Sequence, residues 1–293
     1  MDKHFLTYLR RCLITTCLLL MPALANAIGV TYLASGWAVS DFHTLSTPTR
    51  AIEFDSLGNI YIEDTSDDNS GKIEILKLDA SSGYSTSSVF ASYDTTYQGV
   101  TGLDFDNQGS LYVSERSMDG NAGIIREIDV ATQALLGDVM TFANHRPTGV
   151  DADTSGNVYY SGRRDSDITW GKIFEIDSTL TRTELSGSTV ATGIALDALG
   201  NIFISTPKAT GFPLTNNSIY KFESGDFTTP ILIATFDQRG GELTFDDDGN
   251  LYFVAEDQLS IVKLSAIPVP AAVWLFGSGL IGLIGVTRRK ARA

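Results

Sequence analysis

Five times between residues 51 and 253 the chain repeats one short pattern: an apolar segment, Asp-x-x-Gly, a small polar residue, and a second apolar segment carrying an aromatic. The units are Ala51–Ile62, Gly102–Val113, Gly149–Tyr160, Gly193–Ile204 and Glu242–Phe253. Their turn acids, Asp55, Asp106, Asp153, Asp197 and Asp246, lie 51, 47, 44 and 49 positions apart. A repeat of that length is one supersecondary unit that buries its apolar faces only against its neighbours, and it is the length of a propeller blade.

Within each unit the pattern predicts a hairpin. The Asp carboxylate accepts backbone N–H groups inside the turn, and Gly58, Gly109, Gly156, Gly200 and Gly249 supply the left-handed residue that closes it. Third strands follow at Lys72–Asp79, Gly123–Asp129, Lys172–Asp177, Ile219–Phe222 and Leu259–Leu264, and fourth strands at Ser88–Ser92, Leu135–Phe142, Thr181–Leu185 and Pro230–Phe236. Four strands per unit make an all-β propeller of five blades. A sixth blade is the alternative, although residues 28–50 amount to only half of one. The last unit lacks a fourth strand, and the apolar Val30–Ala34 is expected to supply it and close the ring, removing an exposed sheet edge.

The two ends read as addresses. Lys3, Arg10 and Arg11, the apolar run Cys12–Met21 and the small residues Ala25-Asn26-Ala27 have the order of a secretory signal peptide, predicted over 1–27 with cleavage after Ala27. At the other end Val269–Val286 is uncharged and is followed by Arg288, Arg289, Lys290 and Arg292, which predicts a transmembrane helix over 269–286 with its basic end in the cytoplasm. The body is then 28–266 and the tail 267–293. Both cysteines, Cys12 and Cys17, fall in the leader, so the body has no disulfide framework.

Charge is partitioned the same way. Of 21 Lys plus Arg and 35 Asp plus Glu, the leader takes three bases and one acid and the tail takes four bases, leaving 14 against 34 in the body. An acidic body disfavours nucleic acid as a partner. With 43% hydrophobic residues the chain is too apolar to remain disordered.

Pro268-x-Pro270-Ala271, the span beginning Trp274-Leu275-Phe276-Gly277, and Arg288-Arg289 together resemble the PEP-CTERM sorting tail in its Val-Pro-Leu-Pro-Ala variant, with Ile267 and Val269 where that variant has Val and Leu. The resemblance implies export from a Gram-negative-type bacterium that makes exopolysaccharide, and recognition of the tail by an exosortase-type protease. The implied partners are that protease and the secretion machinery, the membrane through the C-terminal helix, and a polysaccharide or envelope protein. An uncleaved anchor is the simpler alternative. The Asp-x-x-Gly-Asn-apolar-aromatic signature resembles NHL-type repeats and, more loosely, the propellers of the gluconolactonase and senescence-marker family.

The lactonase-like resemblance implies a divalent metal held by Glu, Asn and Asp residues just ahead of the inner-strand Gly. Here that column, five residues before each turn Asp, reads Arg50, Thr101, Thr148, Thr192 and Gly241, with neither carboxylate nor amide, and Glu242 stands one place late. The expectation is therefore no metal, no catalytic residue and a binding or scaffold module. A metal-dependent lactonase or esterase, and a subunit of an envelope complex, are the alternatives. Two oxygen-rich stretches are candidates for Ca2+, Asp104-x-Asp106 through Glu115 and Asp246-Asp247-Asp248; turn geometry accounts for both. His43 and His145 are the only histidines of the body and lack a serine elbow, so His145 reads as a surface or hydrogen-bonded residue. The loop Arg163–Asp167 with Trp170 reads as a solvated charge cluster.

Loops entering the inner strand and leaving the second strand share one face of a propeller. Arg50, Glu63, Asp64, Glu115, Arg116, Arg146, Arg163 and Glu256 are expected to gather there as a binding face.

Overall fold

The computed structural model describes residues 29–64, 71–106, 108–117, 122–143, 145–164, 172–186, 191–206, 217–238, 240–255 and 259–267. After β1 (Val30–Leu33) and β2 (Trp37–Thr44), the strands run in blade order. The first blade is β3 (Ile52–Phe54), β4 (Ile60–Glu63), β5 (Lys72–Leu78) and β6 (Ser87–Asp94); the second is β7 (Gln98–Phe105), β8 (Ser110–Arg116), β9 (Gly123–Asp129) and β10 (Leu135–Phe142). The third is β11 (His145–Ala152), β12 (Val158–Arg164), β13 (Lys172–Ile176) and β14 (Arg182–Ser186). The fourth begins with β15 (Gly193–Leu196), β16 (Ile202–Ser205), β17 (Ser218–Glu223) and β18 (Asp226–Phe236), and the fifth with β19 (Gly240–Phe245), β20 (Leu251–Ala255) and β21 (Ser260–Ala266). The inner strands β3, β7, β11, β15 and β19 contact one another in that order and back to β3, so the five blades form a closed ring.

Ring closure differs from the expectation. Val30–Leu33 does not complete the last blade; it pairs with β18 as a fifth strand of the fourth blade. The closing strand is β2, which pairs with β21 from Trp37↔Ala266 to Thr44↔Ser260. The reason lies in side-chain alternation. Val39, with Trp37 packed alongside, joins the core between the fourth and fifth blades, while Phe42 packs on the core between the fifth and first. A strand that must feed two cores carries apolar residues on both faces, broken by Ser40 and Asp41, and does not appear as an apolar run.

Each of the five apolar clusters lies between two adjacent blades and none lies within a single blade. Each fully buried side chain there contributes about 1.5–3 kcal/mol of transfer free energy, available only once the neighbouring blade is in place.

The turns are built as expected and with more partners. Asp55 accepts the N–H groups of Leu57 at 3.0 Å and Asn59 at 2.9 Å on one oxygen; Asn59 Nδ2 at 2.7 Å and Tyr61 Oη at 3.1 Å donate to the other. Asp153 with Asn157 and Tyr159, and Asp246 with Asn250 and Tyr252, repeat the arrangement. The Asn and the aromatic hydroxyl of the repeat are thus second and third partners of the turn acid. Gly58, at φ +76°, takes the left-handed turn position.

The predicted cleavage site Ala27, the sorting residues Pro268, Pro270, Ala271, Arg288 and Arg289, and the helix over 269–286 lie outside the described residues. Among the described residues no helix is long and apolar enough to cross a membrane.

Candidate functional site at the ring axis and upper face

The face on which the inner strands begin is here the upper face. The column that the lactonase-like resemblance singles out stands just inside it, and its hydroxyls join the blades. Thr101, Thr148 and Thr192 meet Ser114, Ser161 and Ser205 of the second strand at 3.0, 3.1 and 3.0 Å. Each threonine also donates to a carbonyl of the following blade: Pro147 O at 3.1 Å, Ala191 O at 3.3 Å and Gly240 O at 3.3 Å. In the first blade the same two positions hold Arg50 and Glu63, an ion pair at 3.9 Å, and Glu63 reaches on to accept Val100 N–H of the second blade at 2.5 Å. This belt ties adjacent blades together.

The predicted binding face separates into inward and outward members. Glu63 is 1% exposed and belongs to the belt. Glu115 is fully buried, accepts Tyr93 Oη at 2.9 Å and Thr95 Oγ1 at 2.7 Å, and forms an ion pair with Arg126 at 2.8 Å, joining the first blade to the second. Burial pushes its carboxyl up, against these hydrogen bonds and the Arg126 charge. Neither glutamate is presented to a ligand, because a carboxylate at the end of a second strand can satisfy the neighbouring blade instead. Arg50 and Asp64 are half-buried at the first blade, and Glu256 lies outside the described residues.

The predicted arginine positions are neighbours in backbone register. Arg116 is the register partner of Gly123, whose backbone lies against Arg146: a Cβ on Gly123 would stand 3.2 Å from Arg146 Cα. Across β11 and β12, Arg146 pairs with Arg163 and His145 with Arg164. Four of the body's eight arginines therefore sit at the upper edge of the second and third blades. His145 itself is turned inward, with ring centroids 5.3 Å from Phe142, 5.5 Å from Tyr160 and 4.8 Å from Phe174. It is a buried member of an aromatic cluster, which excludes the surface alternative of the expectation.

Sequence reasoning missed a group of acids below the belt. Glu53, Asp104 and Asp151 occupy the position two before the turn Asp in the first three blades, and all are more than nine-tenths buried. Asp104 accepts Ala152 N–H at 2.8 Å and Asp151 accepts Leu196 N–H at 2.8 Å, each from the next blade; Glu53 accepts Thr244 Oγ1 at 2.6 Å from the last. Glu242 takes the place held by Ala51, Gly102, Gly149 and Gly193 in the other repeats and crosses the axis to accept Val150 N–H at 3.2 Å. The strands approach closely here: a Cβ on Gly102 would lie 2.6 Å from Val150 N, and one on Gly149 2.5 Å from Glu242 Oε2. Desolvation raises the carboxyls of all four, with Asp151 at about 7.

Among the described residues no three of His, Cys, Asp and Glu are placed to hold a metal ion. Of the stretches considered for Ca2+, Asp106 is engaged by the N–H groups of Gln108, Gly109 and Ser110, and Asp246 by Asn250 and Tyr252.

No protein-family profile matches the sequence, and no curated protein matches it. Solved structures do. A provisionally named oxidoreductase (glucose dehydrogenase) from Thermus thermophilus superposes with a TM-score of 0.51 at 13% identity, over 78% of this chain and 100% of the other. A provisionally named gluconolactonase gives 0.50 at 11% identity, over 83% and 88%. A gluconolactonase from Xanthomonas campestris gives 0.48 at 12% identity, over 83% and 96%. At these identities the likeness concerns the fold, which is that of a gluconolactonase-like β-propeller.

Proposed function

We propose that the protein is an exported propeller that binds a sugar-derived, negatively charged ligand at the upper edge of its second and third blades, and serves the cell envelope or exopolysaccharide as a binding module. The observation that carries this reading is the backbone register that sets the positions of Arg116, Arg146, Arg163 and Arg164 along one edge of a body with a large excess of acids. Guanidinium groups are suited to paired recognition of carboxylate and phosphate oxygens, and a local basic patch on an acidic surface steers anions to one place. Export rests on the leader and tail of the sequence, with sorting by an exosortase-type protease. Service as a subunit of an envelope complex fits the same surface.

A second reading, a metal-dependent lactonase or esterase, is favoured by the fold neighbours, whose names are those of enzymes acting on glucose or gluconolactone. Their names support catalysis more directly than a scaffold role. The threonine–serine belt speaks against it, because it occupies the metal column with hydroxyls already bonded across the blade boundary. Calorimetric titration of the full-length protein with galacturonate, gluconate and neutral glucose tests the first reading: binding of the acids but not of glucose, weakened in Arg146→Ala, is expected. Equal binding of glucose would overturn it.

A further inference from the structure

We propose that the axial carboxyls Glu53, Asp104, Asp151 and Glu242 form a proton-held lock that keeps the five blades closed at acidic and neutral pH and loosens them as the pH rises. The geometry places these acids on four of the five inner strands, and each accepts a hydrogen bond from the inner strand of another blade: Glu53 from β19, Asp104 from β11, Asp151 from β15 and Glu242 from β11. The four contacts bridge first to last blade, second to third, third to fourth, and fifth to third across the axis.

Glu242 is the group that needs a proton. It is fully buried, and one oxygen accepts from Val150. The other, Oε2, has no hydrogen-bond partner among the described residues and is held against Gly149. A buried carboxylate oxygen with no donor is costly as an anion and much less so as a hydroxyl.

The surrounding charges reinforce this. Glu53 faces Asp151 and Asp247, Asp104 faces Asp151, Glu53 and Glu242, Asp151 faces Asp153, and Glu242 faces Asp151 and Glu53. The remaining inner strand, β15, brings Gly193, Ile194, Ala195 and Leu196 and no titratable group. Among the described residues none of the four acids takes part in a salt bridge. Burial, with like charges beside it, raises these carboxyls above their unfolded values. The stability they confer is therefore fully present below the ordinary carboxyl range and is lost as pH rises through the raised values, for Asp151 near 7.

The test is thermal unfolding of the full-length protein from about pH 5 to 9 in the presence of a chelator, at low and high NaCl. Salt screens the repulsion of surface charges and reaches buried ones far less. A fall in Tm with pH that persists in high salt is expected, with a flatter slope and a higher Tm at about pH 8 in Glu242→Gln. Asp151→Asn serves if that variant does not fold, and an infrared band of protonated carboxyl groups in the wild type at about pH 7 serves if neither does. A slope abolished by salt, an unchanged slope in the variants, or absence of the infrared band would overturn the proposal. So would a wild-type Tm raised by millimolar Ca2+ and insensitive to pH, which would make the cluster a cation site. None of these outcomes depends on whether the arginine edge binds sugar acids.

Discussion

Thr244 Oγ1 donates a hydrogen bond to Glu53 Oε2 over 2.6 Å, and the two residues are 191 positions apart in the chain. The contact joins the inner strands of the last and first blades, so the ring is closed near its axis as well as at its rim. Thr244→Val keeps the shape and removes the donor. It is expected to cost about 1–3 kcal/mol in urea unfolding, because it leaves a buried oxygen with one partner fewer.

Closure at the rim is tested by comparing the two N-terminal strands. Val39 is buried in the core between the fourth and fifth blades, whereas Tyr32 of the appended strand is 46% exposed. Val39→Asp places an unpaired charge in that core and is expected to abolish cooperative folding, as one partner of a broken buried pair costs about 3–5 kcal/mol. Tyr32→Ser is expected to change stability by no more than about 0.5 kcal/mol, the usual range for surface sites. Equal effects would return the closing role to Val30–Leu33.

Most of the architecture was legible because Asp-x-x-Gly is a local signal: the turn acid, its N–H donors and the left-handed glycine lie within a few residues of one another. The closing strand was not, because Val39 and Phe42 serve different cores and their faces cannot be told apart without the neighbouring blades. Glu63 and Glu115 looked like surface acids for the same reason, since their partners Val100 and Tyr93 belong to other strands. Glu242 did leave a signal, a carboxylate aligned with Ala51 and three glycines, but the register placed it off the column of interest. What it meant depended on the Gly102 and Gly149 backbones across the axis.

The turn acids set the opposite limit of pH. Burial raises the Asp55 carboxyl, but hydrogen bonds from Asn59, Tyr61 and Leu57 outweigh it and hold the group below its ordinary value of 3.8. Its contribution is thus present above that value and lost as the pH falls through the lower, folded one. Asp79, Asp129, Asp177 and Asp226 are lowered by hydrogen bonds in their own turns and act with the same sign. Circular dichroism during acid titration should show unfolding only below about pH 4, and Asp55→Ala should move the midpoint upward. A midpoint unchanged by that substitution would remove the turn acids from the account.

On the arginine edge, Arg146→Ala is expected to weaken sugar-acid binding by about tenfold or more, as a charged hydrogen-bonded pair contributes roughly 1.5–3 kcal/mol. Arg182→Ala, whose guanidinium lies 5.4 Å over the Phe174 ring, should leave the affinity unchanged. Parallel losses in the two variants would indicate general attraction by positive charge, with no defined site.

The most direct test of the central claim, a propeller that binds without metal chemistry, is the metal content of the purified protein measured together with turnover on a panel of lactones and esters. No stoichiometric divalent ion and no metal-dependent hydrolysis are expected, since Thr101, Thr148 and Thr192 commit their hydroxyls to the blade boundaries. One tightly held divalent ion per chain, with lactone hydrolysis lost on chelation and restored on its return, would contradict it.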